Sequence, residues 1–349
     1  MLADLQLRNF RCFETLGAEF SPGFNFILGR NGQGKTSILE AACALVRLQS
    51  QRSATLAPLI RFGQKSFAVA GHTQNHFLEF RYAPLRRKIS FDEIEQRTAE
   101  EYLRTARVVS LANTDIELLR GGGEMRRRYL DFLGTQIDSR YRPTLRAYDR
   151  ALRSRNALLK SSHPRPQEIA AYDRPLLEHG AQLSDIRARL IERLTPFAVE
   201  AHREVSGMEE LLALKFVPGN SADFARDLVD SRAQEQRLRQ TIVGPHRDDL
   251  QILIAGRPAA QYASEGQQRT AALALKISQA RVFLAEDSTA LLLLIDDIFG
   301  ELDPMRRNSL LRNLPPEAQK LVTATAMSWR DDAMEGTQFE LRDGVLFRT

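Results

Sequence analysis

Gly29 and Gly34 bracket four residues and are followed at once by Lys35-Thr36, the G-x-x-x-x-G-K-[ST] spacing of a phosphate-binding loop. The apolar run Asn25-Phe26-Ile27-Leu28 comes before it, and a 3.6-period apolar face through Leu39, Ala42, Cys43 and Val46 comes after it. Such a loop requires this order of strand, loop and helix. The glycines let backbone N–H groups of Gly29, Arg30, Asn31, Gly32, Gln33 and Gly34 turn inward around an anion, and the following helix adds partial positive charge at its N-terminus. Lys35 is placed to reach the β and γ phosphates of a nucleotide. The Thr36 hydroxyl is placed to ligate Mg²⁺, and Ser37 completes the binding stretch.

A second constellation lies far along the chain. Residues 290–295 read as a buried strand that delivers Asp296 and Asp297 at its C-terminal end, where open α/β sheets bind ligands. Asp296 is expected to hold Mg²⁺, and Asp297 to orient or deprotonate an attacking water, with Lys35 as its catalytic partner. Acids after a strand can also cap a helix; the phosphate loop tips the balance toward metal and catalysis. Ser264-Glu265-Gly266-Gln267-Gln268-Arg269 opens a periodic helix with Ser264 as N-cap, a second anion site beside the plain reading of a capped helix. The first loop already accounts for a triphosphate. Two copies facing each other would put Ser264, Gly266 and Gln267 of each on the other's γ-phosphate.

These residues need elements to hold them. Residues 2–10 alternate, and the chain then runs through the turn Ser21-Pro22-Gly23 to residues 24–28, which reads as two strands and a turn. Residues 67–71, 77–82 and 87–91 look like short strands flanking the nucleotide. From Met125 to Gln240 the period becomes helical, with a break at residues 161–166, a helix carrying Leu183, Ile186, Leu190 and Leu194 that Pro196 should stop, a strand near residues 211–217, and a charged helix over 222–240. The helices look too short and interrupted for a long coiled coil. Site chemistry resumes at Thr241. The expected organisation is an α/β nucleotide lobe of residues 1–108 and 241–349, split by a largely helical arm over 109–240.

With 349 residues the chain is long enough for more than one lobe. Its 43% apolar and 27% charged residues exclude a disordered or membrane-spanning class. Cys12 and Cys43 cannot make a disulfide framework, and the amphipathic start gives no secretory leader, so a reducing cytoplasm is expected. Net charge is +5, yet residues 104–174 carry 15 Lys/Arg against 8 Asp/Glu. That asymmetry points to a polyanion; a solvated helical face is the plainer alternative. Arg142, Arg146, Arg150 and Arg153 recur on one helical face opposite Leu145, Tyr148 and Leu152, and Arg126-Arg127-Arg128 forms a second basic candidate. There is no aromatic stacking platform of the single-strand type, which favours reading of a polyanion's backbone over reading of bases.

The phosphate loop, Ser264-x-Gly266-Gln267, Asp296-Asp297 and Glu301-Leu302-Asp303 resemble the Walker A, signature, Walker B and D-loop motifs of ABC-type ATPases. Within that group the chain resembles the RecF family, bacterial recombination and gap-repair ATPases related to SMC heads. The stretches that select it are Asn9-Phe10-Arg11, Arg127-Arg128-Tyr129-Leu130-Asp131, Tyr148-x-x-Ala151-Leu152-x-x-Arg155-Asn156, Gly244-Pro245-His246-Arg247-Asp248-Asp249-Leu250 and Asp296-Asp297-x-Phe299-x-Glu301-Leu302-Asp303. The resemblance implies an ABC-type head with a mixed sheet, and ATP and Mg²⁺ as cofactors. It also implies an ATP-dependent homodimer with Ser264, Gly266, Gln267 and Asp303 of one copy on the other's nucleotide. The implied partners are single-stranded and junction DNA, RecO and RecR, and through them RecA. Hydrolysis would be slow, DNA-stimulated and used as a switch. A DNA-binding scaffold with a degenerate ATPase is the alternative. In this chain Thr323-Ala324-Thr325 stands where many ABC proteins carry a histidine, and Ser110-Leu-Ala-Asn113 departs from the usual family stretch before Asp115.

Overall fold

The computed structural model describes residues 1–53, 55–73, 76–207, 210–327 and 335–349. The chain divides into two compact units, Met1–Asp115 with Gln279–Thr349, and Ile116–Ser278. The second unit therefore ends well beyond Thr241, where the sequence placed the return. The cause is strand pairing: residues 249–254 lie antiparallel to residues 212–217 and are drawn into the inserted unit with them.

The first unit begins with β1 (Asp4–Phe10), β2 (Phe13–Glu19) and β3 (Phe24–Leu28), followed by α1 (Lys35–Arg47). Three strands stand where the sequence reading expected two. Arg11, with φ 53°, turns the chain so tightly that Phe13 pairs straight back onto Phe10. Then come β4 (Phe67–Thr73), β5 (His76–Ala83), β6 (Arg86–Phe91), β7 (Ile94–Glu95) and β8 (Ala106–Ala112).

The second unit holds α2 (Gly123–Ile137), α3 (Tyr141–Leu159) and α4 (Asp173–Ser206), then β9 (Leu212–Val217), β10 (Asp249–Ile254) and β11 (Arg257–Pro258). Helix α4 runs 34 residues straight through Pro196, which does not stop it. Buried Leu190 and Leu194 before the proline and Ala198, Ala201 and Val205 after it keep one apolar stripe continuous. Burial of that stripe outweighs a cost of about 3 kcal/mol for an interior proline. The charged helix expected over 222–240 is instead two, Phe224–Asp230 and Arg232–Leu238, parted at Ser231. There the Ser231 hydroxyl donates back to Leu228 O, a competing bond typical of serine.

Tyr141, Tyr148, Leu176, Leu183, Ile186 and Leu190 form the core of this unit. A polar network threads it. The Tyr148 hydroxyl meets His246 Nδ1 at 2.7 Å, and His246 Nε2 meets Thr241 O at 2.9 Å. A neutral ring satisfies both contacts, with Nε2 donating and Nδ1 accepting. Burial pushes the His246 pKa down to about 4. The folded value lies below the ordinary 6.5, so this contribution to stability is complete above pH 6.5 and is lost as pH falls toward 4. Urea titrations across that window should lose about 3 kcal/mol of unfolding free energy, and His246→Gln should remove most of that slope.

Helix α5 (Glu265–Glu286) carries the chain back to the first unit, which closes with β12 (Ala290–Asp296), α6 (Pro304–Asn313), β13 (Gln319–Ala324), β14 (Thr337–Arg342) and β15 (Val345–Arg348). Two sheets result. One is antiparallel, in the order β2-β1-β4-β5-β6-β7. The other, β15-β14-β3-β13-β12-β8, is parallel except for the edge strand β15. Residues 291–295 of β12 are all buried, as expected for a central parallel strand covered on both faces. Strands β3 and β12 flank β13, so the phosphate loop and the acidic pair leave the same end of the sheet. No helix among the described residues is long and apolar enough to cross a membrane.

Candidate nucleotide site

Leaving β3, the chain turns through the glycine loop into α1. Gly32 and Gly34 have φ of 81° and 106°, conformations that side chains rarely adopt. A Cβ on Gly34 would lie 2.6 Å from Cys12 Sγ, and one on Gly29 would lie 2.6 Å from Gln33 Oε1. The Arg30 N–H donates to Gln33 Oε1 at 2.8 Å, while Lys35 Nζ donates to Gly29 O at 2.7 Å and Arg30 O at 3.1 Å. Side chains of the loop thus fix its own backbone. Side chains at Gly29 or Gly34 would collide with Gln33 and Cys12, so glycine alone lets the backbone close into a loop whose N–H groups fit a polyphosphate.

Thr36 Oγ1 donates to Asp296 Oδ1 at 2.8 Å, joining the loop to the acidic strand. Burial draws the Lys35 ammonium below its ordinary value, with Asp297 and Asp296 pulling the other way. Burial also raises the Asp297 carboxyl above the ordinary carboxylate value; Lys35 opposes this and Asp296 adds to it. A hydroxyl and a carboxylate, both hard oxygen donors, suit Mg²⁺ held by few protein groups and several waters. Asn31, Gly32, Gly34, Lys35, Thr36, Ser37, Asp296 and Asp297 line one cleft of about 620 Å³.

Two positioning residues escaped the motif reading. Thr323 Oγ1 donates to Asp296 Oδ1 at 2.8 Å and accepts the Asp297 N–H at 3.0 Å, so from the next strand it holds the Asp296 carboxylate and the Asp297 backbone. Asn113, just past β8, donates to Asp297 O at 3.1 Å and braces a peptide whose residue sits at φ 50°. The departures seen in sequence at these two positions are therefore residues that hold the acidic pair. Arg11 gives the Asn9-Phe10-Arg11 stretch a function: its guanidinium meets fully buried Glu40 of α1 at 2.7 and 2.9 Å.

In the second unit Ser264 caps α5 as expected. The Gln267 N–H donates to Ser264 Oγ at 3.2 Å and the Ser264 N–H to Gln267 Oε1 at 2.7 Å, a reciprocal capping box. Ser264 is exposed and Gly266 half-buried. Asp303 is exposed and caps α6 through the Arg306 N–H. Of the arginine stripe, Arg146, Arg150 and Arg153 are exposed on α3 while Arg142 is half-buried. The second basic candidate is largely spent internally. Arg126 pairs with Asp249 at 2.6 Å and Arg127 donates to Asp248 O at 2.9 Å, because α2 packs along β10.

The family model for the RecF/RecN/SMC N terminal domain matches residues 1–341. The DNA replication and repair protein RecF of Symbiobacterium thermophilum is 37% identical over 93% of this chain and 91% of its own. That of Lactococcus lactis subsp. cremoris is 31% identical over 99% and 98%. A solved structure of the recombination mediator protein RecF-ATPrS in the RecFOR pathway superposes with TM-score 0.89 at 29% identity, covering 100% of this chain and 98% of that one. The Smc head domain derived from Pyrococcus furiosus, at TM-score 0.53 and 17% identity over 100% of this chain and 95% of that one, shares the fold alone. With a phosphate-loop cleft on a mixed sheet, a family model matched over residues 1–341 and relatives of this similarity along nearly its full length, the chain belongs to the RecF family within the RecF/RecN/SMC group.

Proposed function

We propose that this protein is an ATP-driven DNA-binding switch of recombinational gap repair and replication maintenance. The observation that carries the proposal is the Thr36 to Asp296 bond, which joins a phosphate loop and an acidic strand into one Mg-nucleotide half-site. The RecF relatives and the RecF-ATP and RecF-ATPrS structures support it.

In this reading residues 29–34 wrap the phosphates, Lys35 neutralises the β and γ charge, and Thr36 and Asp296 hold Mg²⁺, which supplies Lewis acidity when bound. Asp297 accepts the proton of the attacking water. Aspartate is one methylene shorter than glutamate and holds that water less closely, which makes turnover slow. Ser264, Gly266, Gln267 and Asp303 of a second copy complete the site across a dimer interface. Closure of that dimer grips DNA at single- to double-strand junctions through Arg146, Arg150 and Arg153, with Arg142 at the end of the stripe. RecO and RecR then assist RecA loading in the cytoplasm, and hydrolysis resets the dimer. A scaffold with a degenerate ATPase is the alternative, and it would bind ATP without hydrolysing it.

Sedimentation with ATP, with ADP and without nucleotide, each with and without gapped DNA at low salt, tests the switch. A dimer formed only with ATP and tightened by DNA is the expected result. Ser264→Arg should bind ATP as the wild type does and fail to dimerise; a variant that still dimerised would sink the sandwich. A monomer in every condition would leave the scaffold reading.

A further inference from the structure

The cleft above the phosphate loop has two chemically different sides. One is the loop with its carboxylates; the other is a short apolar segment, Pro58, Ile60 and Phe62. The Phe62 side chain is 101% exposed, yet it follows directly on residues 59–61, whose backbone pairs with residues 9–11. The Arg11 N–H donates to Leu59 O at 2.7 Å, the Arg61 N–H to Asn9 O at 2.9 Å, and Phe10 bridges to Ile60. The Gln64 N–H closes a turn on Arg61 O at 2.9 Å with Gly63 at φ 80°, a left-handed position that glycine takes without strain and that leaves Phe62 at the corner. Arg11 ties the segment to the helix of the phosphate loop, joining Pro58 O at 2.9 Å while it pairs with Glu40. Leu85 is as exposed, at 108%, but it occupies the β5–β6 hairpin turn at φ 68° and lines no part of this cleft.

An aromatic ring that is fully solvated, carried directly after a paired segment and set beside a phosphate cradle is suited to stacking on a planar ring. We infer that Phe62 is the stacking platform for the base of the bound nucleotide. The inference rests on the nucleotide reading above and adds to it the residue that holds the base. Every base presents a π-face, so the platform tolerates adenine and guanine alike and distinguishes a nucleotide from a bare polyphosphate.

Calorimetric titration of wild type, Phe62→Ala and Phe62→Trp with Mg-ATP, Mg-GTP and Mg-tripolyphosphate tests it. Phe62→Ala should lose affinity for both nucleotides by about ten-fold and keep its affinity for tripolyphosphate. Phe62→Trp should retain nucleotide binding, and its added indole emission, taken relative to wild type, should be quenched by ATP and not by tripolyphosphate. Because the side chain is solvated, neither change threatens folding. Unchanged ATP affinity in Phe62→Ala, or equal losses for ATP and tripolyphosphate, would overturn the platform and leave the nucleotide site standing. A wild type that bound no ATP would overturn the site itself, and the platform with it.

Discussion

Lys35→Ala should weaken ATP binding roughly a hundred- to a thousand-fold and take hydrolysis to background. The ammonium sits in a partly desolvated cleft facing Asp296 and Asp297, the place where phosphate charge must be met. A hydrogen bond to a charged group contributes about 1.5–3 kcal/mol, and a lysine between the β and γ phosphates makes two, so the loss is about 3–4 kcal/mol after relaxation. Alanine also strips the Gly29 and Arg30 carbonyls of their donor, which loosens the loop. Calorimetry with Mg-ATP and a phosphate-release assay read the two effects separately, and far-UV circular dichroism should be unchanged. Hydrolysis that survived the substitution would remove Lys35 from the mechanism.

The second large effect lies far from the chemistry. Asp248→Ala should destabilise the inserted unit by about 3–5 kcal/mol, the range for breaking a buried ion pair from one side. Asp248 is 0% exposed and Arg187 2%. The Asp248 Oδ2 accepts from Arg187 at 3.0 Å and from Ser184 Oγ at 3.0 Å, and its Oδ1 accepts the Gly219 N–H at 2.8 Å. Asp131 and the Tyr141 hydroxyl take the rest of the guanidinium, at 2.7 and 2.9 Å. Removing the carboxylate takes one of two carboxylates from a buried cation and strips the Gly219 amide of its acceptor. Urea unfolding measures the loss. Arg187→Met in the Asp248→Ala background should restore part of it, since the cation is then gone; a strictly additive double variant would show the pair to be uncoupled.

This network also explains the Gly244-Pro245-His246-Arg247-Asp248-Asp249 turn, whose polar density reads in sequence like a site. It is internal scaffolding. Arg187 reaches Pro245 O at 2.7 Å, Tyr148 holds His246, and Arg126 holds Asp249. Residue types cannot separate a polar cluster turned inward from one facing a ligand, because the same donors and acceptors serve both; only burial distinguishes them.

By itself the sequence determined the chemistry whose spacing is local. The phosphate loop, the capped helix at Ser264 and the apolar strand ending in Asp296-Asp297 each depend on residues a few positions apart, and backbone geometry fixes what such spacings do. Tertiary structure decided whatever depends on pairing across distance. The strand at Phe13 exists because Arg11 turns the chain back, and the inserted unit extends past Thr241 because β10 pairs with β9. Helix α4 passes Pro196 because a continuous buried stripe offsets one lost hydrogen bond. Arg126 and Arg127 are basic in composition yet spent inside, while Thr323, Asn113 and Phe62 acquire their positions only when separate strands and turns meet at one end of a sheet. Local spacing fixes what a short segment can bind, and burial and strand order fix which side chains are left to do it.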